Sequence, residues 1–314
     1  MWSARAAGAA SIRSLTGRKT ATVLMRSVTL SAVSPSDYCM DLVRKVDFEN
    51  YLCVLLQKGD NRRAGFAIRA LNAELALIRD QVSRAEIGQG RIVFWREAIL
   101  KIYDGRNVPQ HPVAQELKWL VSHSMLTQQW FLRLIDSRES DMKSSALASL
   151  DDAEQYAERS CSPVYYLMLE SRGVKRIDCD HTASHLGKAQ GLTNLVRAIP
   201  VNASKGRCQL PLDLLAKHSV SQHQVLKSSE TNLHEVVFDI ASTAHVHLDK
   251  VEQEARKLPR EVRDVYLPLV ALRAFLSRLQ KADFNVFHST VQRRNALLPY
   301  QLWMYRLRNR LAWL

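Results

Sequence analysis

Forty-four Lys and Arg against 31 Asp and Glu give this 314-residue chain a net charge of +13, and its 46% hydrophobic content supports a substantial buried core. That charge draws nucleic acid, anionic lipid or an acidic partner, but the cations are dispersed without a finger, RNP or helix-turn-helix signature, so no nucleic-acid partner is expected. No apolar run is long enough to cross a bilayer as a helix, and the five scattered cysteines form no C-x-x-C pair, which fits buried thiols in a reducing compartment.

The chain opens without an acid. From Met1 to Ser36 there is no Asp or Glu, while Arg5, Arg13, Arg18, Lys19 and Arg26 lie among Ser, Thr and Ala. This is the make-up of a mitochondrial transit peptide, with a disordered basic arm as the other reading; the apolar run "ATVLM" is too short for a secretory signal. One domain is expected from residue 37 to residue 314.

Helical periodicity dominates that domain. In "DYCMDLVRKVDFENYLCVLL", Tyr38, Leu42, Val46, Leu52 and Leu56 recur at helical spacings. "RRAGFAIRALNAELALIRDQVS" repeats apolar residues at threes and fours from Phe66 to Val82. "RIVFWREAILKIYDG" runs into the breakers Asp104-Gly105 and "VPQHP", and Val113 to Ile135 is a further long apolar stripe. "SLDDAEQYAERSCSPVYYLMLESRG" starts on capping residues and stops at Gly173. "CDHTASHLGKAQGLTNLVRAI" is helical up to Pro200, where a missing N–H and the restraint on Ile199 predict an end or a kink. Thr231 to Lys257 and Val262 to Gln280 follow as helices separated by Pro259. No strand alternation appears, so the fold class is all-α.

The stretch "QGLTNLVRAIPVNASKGRCQLP", residues 190–211, carries the most chemistry. Gln190, Asn194 and Arg197 fall on related turns, followed by Lys205 and Arg207, yet no acid lies between Asp180 and Asp213. Thr193, Asn194, Arg197, Gly206-Arg207 and Leu210-Pro211 stand in step with T-N-I-x-R-D-x-x-x-D followed by G-R-x-x-L-P. That pattern resembles the squalene/phytoene synthase family, all-α isoprenoid synthases that join two prenyl diphosphates head to head. Its first motif, Y-A-F-C-R-x-x-D-x-x-x-D with a later aromatic pair and Arg, is met by "IRALNAELALIRD" and by Phe94, Trp95 and Arg96. The resemblance implies a single-domain helical bundle with a central cavity. Two carboxylates one turn apart on each of two facing helices hold the magnesium that helps expel diphosphate. Here those four positions are Ala76, Asp80, Ala198 and Asn202, so three acids are missing. Asp80 stands beside Arg79 and is expected to pair with a cation rather than to gather metal.

The runs "SPVYYLMLE", "ASHLGKAQGLTNLVRAIP" and "LQKADFNVFHSTVQRRNALLPYQLW" are similar to a non-catalytic branch of the family. That resemblance implies no cofactor, no metal and no enzymatic activity. It implies a peripheral protein on the matrix side of the mitochondrial inner membrane that assists early assembly of the respiratory NADH dehydrogenase. Partners would be membrane-arm subunits or intermediates near the ubiquinone site, with a lipid or prenyl ligand as a further option. The competing reading, a prenyl or lipid transferase, would have to recruit Glu74, Asp80 or Glu97, and Glu74 and Asp80 face different sides of a helix.

Other candidates are weaker. Arg197, Lys205 and Arg207 could clasp an anionic headgroup or an acidic peptide, or could serve structure, Arg197 by tying helix ends and Arg207 by bridging to Asp213. His181 and His185 have metal spacing but lack the Glu of H-E-x-x-H and read as a solvated or capping pair, while His245 and His247 read as ordinary polar positions. Tyr165, Tyr166, Met168 and Leu169 suit either a cavity lining or, better, a filled core. In "YQLWMYRLRNRLAWL", Tyr300, Trp303, Met304, Leu307, Leu311 and Leu314 share a face flanked by Arg306, Arg308 and Arg310. This describes a membrane-surface helix or a last helix packed by that face, and Leu297-Leu298-Pro299 favours packing.

Overall fold

The computed structural model describes residues 34–82, 84–143, 147–227 and 233–311, so the expected leader lies outside the described residues apart from Ser34, Pro35 and Ser36. Those three open the first helix. The Asp37 N–H donates to Ser34 Oγ at 3.1 Å and Pro35 takes the first helical position, where its missing N–H costs nothing. Helix α1 (Pro35–Val46) thus starts two residues before the expected domain boundary.

Fourteen more α-helices follow among the described residues, and no strand. They are α2 (Phe48–Leu55), α3 (Gly59–Gln81), α4 (Ala85–Tyr103), α5 (Pro112–His123), α6 (Gln128–Lys143), α7 (Leu150–Ser160) and α8 (Ser162–Glu170). Then come α9 (Ile177–Ser204), α10 (Leu212–Lys217), α11 (Gln222–Leu226), α12 (Leu233–Ala255), α13 (Pro268–Lys281), α14 (Ser289–Gln292) and α15 (Leu298–Leu311). Four expected elements are divided, the run from Tyr38 at Asp47 and the run from Ser149 at Cys161 among them. The stripe from Val113 to Ile135 breaks between α5 and α6 because the buried Glu170 accepts from Thr127, at 2.7 Å from its N–H and 2.6 Å from its hydroxyl, and so caps the start of α6. The stretch from Val262 to Gln280 becomes a 3-10 helix at Arg260–Tyr266 followed by α13, since Pro268 has no N–H to continue one helix into the next.

Helix α9 is the axis of the fold, 28 residues long and packed on α7, α8, α12 and α13. Two glycines let it approach its neighbours. A Cβ at Gly187 would stand 2.6 Å from the Ser162 Cα, and one at Gly191 2.7 Å from the Ala157 Cα, so backbone meets backbone there. Gly187→Ala is therefore expected to cost about 3 kcal/mol, read as a lower urea midpoint at unchanged slope. A loss below about 1 kcal/mol would mean that α8 can shift.

The expected end at Pro200 does not occur, and α9 runs on to Ser204. Proline forfeits one intrahelical bond, at a cost of about 3 kcal/mol. Val196, Ile199 and Ala203 are buried on both sides of it, and that packing holds the last turn in place. The helix closes on Gly206 at φ 68°, with the Arg207 N–H on the Asn202 carbonyl at 2.8 Å and the Gly206 N–H on the Ala203 carbonyl at 3.0 Å. This left-handed cap turns the chain back across the mouth of the bundle.

Candidate functional site

Helices α3 and α9 present Ala76, Asp80, Ala198 and Asn202 to one cavity of about 250 Å³, whose walls also include Leu75, Ile78, Tyr156 and Leu195. The four positions expected from the motifs are thus brought together. A second chamber of about 380 Å³ adjoins it and shares Ala76, Arg138, Cys161 and Asn194 as wall residues.

Cations and amides surround the two carboxylates of this chamber, Asp80 and Asp141. Asp80 Oδ1 accepts from Arg207 Nη2 at 2.6 Å and Lys205 Nζ at 2.9 Å. The Arg207 hydrogen bond, aided by Lys205, holds this carboxyl below the usual carboxylate range. Asp80 does pair with cations, but Arg79 is not among them: neighbours on a helix diverge by about 100°, and Arg79 reaches Asp141 at 3.0 Å. Asn202 donates to Gln209 at 2.9 Å, and Gln209 donates to Asp141 at 3.2 Å, which closes the chain of contacts. Arg207 does not bridge to Asp213, whose carboxylate instead accepts the Leu150 N–H at 3.1 Å. Magnesium would have to displace two cations from Asp80 and the Arg79 guanidinium from Asp141, the two acids that line this chamber. The donor set does not fit it, and among the described residues no three His, Cys, Asp or Glu side chains gather into a metal-holding group.

The remaining candidates sort by contact. Arg197 donates to Glu49 at 2.7 Å, and its guanidinium lies 4.2 Å over the Phe275 ring, so it ties α9 to α2 and α13. Glu74 accepts from Tyr38 at 3.3 Å and Glu97 faces Lys101 at 3.3 Å; neither lines the two chambers. Arg96 bridges α4 to Asp136 and Glu139 on α6, both at 2.7 Å. Tyr165, Tyr166, Met168 and Leu169 are buried core, and the Tyr165 hydroxyl donates to Gln190.

A model of the family described as squalene/phytoene synthase matches residues 43–299. The chain belongs to the squalene/phytoene synthase family. Among curated relatives, "NADH dehydrogenase (ubiquinone) complex I, assembly factor 6" from Bos taurus is 42% identical, over 90% of this chain and 84% of its own length. The protein of that name from Rattus norvegicus is 41% identical, over 87% of this chain and 82% of its own. Among solved structures, a dehydrosqualene synthase covers 89% of this chain and 97% of its own with a TM-score of 0.77 at 17% identity, which shows the shared helical fold. Within this squalene/phytoene synthase fold, α3 and α9 are the facing helices that wall the first chamber.

Two features of this family member are not what the sequence leads one to expect. His185 is buried, not solvated, and its Nδ1 lies 2.7 Å from Nδ1 of His247, itself buried and 3.0 Å from Glu154. The pair joins α9 to α12 across 62 residues of sequence. Burial, then the His247 charge, lowers the His185 pKa from 6.5 to about 4; His181 and Lys250 add to the shift and Glu254 opposes it. Below the ordinary imidazole pKa the unfolded chain takes up a proton that folded His185 refuses, so stability drops as the pH drops. The expected loss between pH 6.5 and 4 is about 3 kcal/mol from this group. Urea unfolding across that window checks it, with His185→Gln expected to remove the share of the slope that His185 carries and to leave that of His247 and His111, whose pKa burial also lowers.

The tail is the second. Helix α15 does pack, but through Leu298 and Leu302, each 1% exposed, and through Tyr305. Tyr300 and Trp303 on the expected face are 60% and 54% exposed, Leu307 is half-buried and Arg308 is exposed. The Leu311 side chain and residue Leu314 lie outside the described residues. Among the described residues no helix is long and apolar enough to cross a membrane.

Proposed function

We propose that the protein is a non-catalytic assembly factor for mitochondrial respiratory complex I, acting by binding rather than by prenyl transfer. One observation carries the loss of catalysis: the sole acid in the metal positions, Asp80, is held by Lys205 and Arg207 in a chamber whose other three positions are Ala76, Ala198 and Asn202. The assembly role is supported by the relatives that share about two-fifths of the sequence over most of both chains. In this reading residues 1–36 direct import, and residues 37–314 form the working domain on the matrix side of the inner membrane. The partner is a membrane-arm subunit or intermediate near the ubiquinone site, and the chambers leave room for a lipid or prenyl ligand. The Trp303 face of α15, with Leu307, Arg308 and Leu311, meets the membrane surface.

The test is direct. Purified protein given geranylgeranyl diphosphate and magnesium is expected to release no pyrophosphate, and release that Asp80→Ala abolishes would overturn the proposal. In cells lacking the native protein, Arg197→Glu with Arg207→Glu is expected to reduce assembled complex I. Unchanged complex I would confine those two residues to a structural part.

A further inference from the structure

We infer that the second chamber is a metal-free binding site for an oxyanion headgroup, phosphate or carboxylate, built on Arg69 and Arg138. Arg69 projects from α3 and is 2% exposed. Its Nη1 lies 3.5 Å from Asp47, while its Nε and its Nη2 have no hydrogen-bond partner. A buried donor left without a partner is costly, so two of them on one guanidinium, whose Cζ lies 5.5 Å over the Tyr165 ring, favour a ligand. Arg138 comes to the same chamber from α6. It donates to Tyr156 at 2.8 Å and to Asn72 at 3.5 Å, and its Nε has no partner.

The charge around these two arginines points the same way. Lys45, Arg197 and Arg294 also line the chamber, against Asp47 and Glu49, so five cations face two acids. Arg69 is buried and Arg138 half-buried, so their charge is damped less than that of the exposed Lys45 and Arg294. A phosphate or carboxylate offers paired acceptors that match a guanidinium fork, so no magnesium is needed to neutralise it. The chamber of about 380 Å³ shares Ala76 and Asn194 as wall residues with the first, where Leu75, Ile78 and Leu195 provide an apolar wall. An anionic single-chain amphiphile would fit both chambers, and a free anion only the second.

This inference deepens the binding reading above, and the experiment keeps the two separable. The purified protein is titrated calorimetrically in EDTA with lysophosphatidic acid below its micelle concentration, with lysophosphatidylcholine as the control. Lysophosphatidic acid is expected to bind about tenfold or more tightly than the control, a difference of about 1.4 kcal/mol. Arg69→Gln and Arg138→Gln should each remove that preference. Because a variant at Arg69 can fail to fold, Asn72→Asp provides the second arm. It keeps the shape, gives Arg138 an internal carboxylate, and is expected to lose the preference while keeping or raising the melting temperature. Inorganic phosphate that binds as tightly as lysophosphatidic acid would identify a free anion as the ligand, and phosphate that binds at least about tenfold more weakly would identify the lipid. Equal binding of the two lipids, or a preference untouched by Asn72→Asp, would overturn the site. In cells lacking the native protein, complex I rescued by a variant that has lost the preference would leave the assembly role standing without this ligand.

Discussion

Arg63→Ala is expected to destabilise the protein by about 4 kcal/mol, the cost of stranding a buried charge. Glu116 on α5 is 3% exposed, and Arg63 on α3 meets it with two parallel hydrogen bonds of 2.7 and 2.8 Å. The Arg63 Cζ also lies 3.6 Å from the centre of the Trp119 ring, which helps to hold its guanidinium in place. Truncation removes the cation that both pairs with this carboxylate and covers it. The melting temperature should fall by roughly 10 °C. Adding Glu116→Gln should recover a good part of the loss, because it removes the charge that was stranded. A single variant that loses under about 1 kcal/mol would show that Glu116 reaches water on its own. Helix α3 also carries Arg69, Asn72, Ala76 and Asp80, so this pair helps to hold the chamber walls in register.

Helix α15 gives the second large contrast. Leu302 packs on Cys53, Leu267, Ala271 and Leu298 in a small cluster that seats the helix. Leu302→Ala is expected to cost about 3 kcal/mol through lost burial and a cavity. Trp303 is one residue further on, yet 54% exposed, and Trp303→Ala should change stability by less than about 0.5 kcal/mol. Binding to vesicles rich in phosphatidylglycerol should nevertheless weaken severalfold with Trp303→Ala, since an interfacial indole and the basic flank act together. Vesicle binding equal to that of the unmodified protein would remove the membrane from the account of this face.

Much of the fold is legible in the amino-acid sequence. Spacings of three and four carry the all-α class, and Gly173 and Pro259 mark true breaks. Motif order sets Ala76, Asp80, Ala198 and Asn202 in register with the acids of the resembled pattern, and the structure brings all four to one chamber. Pro200 misleads, because a rule about an isolated helix says nothing of the packing that buries Val196 and Ile199. The stripe on α15 misleads in another way. Periodicity finds an apolar face, but Leu298 and Leu302 form a second one, and the neighbours that choose between them are α2 and α13, remote in sequence.

Local spacing thus determined which segments are helices and which residues stand in step with the motifs, because those properties depend on the nearest few residues. The partners of charge were decided only by the fold. Asp80 turns from the adjacent Arg79 to Lys205 and Arg207, His185 finds His247, and Arg69, which reads like any cation on an amphipathic helix, ends inside a chamber. An ionic contact depends on distance and burial rather than on order along the chain, and both are set when α3, α6, α9 and α12 pack together.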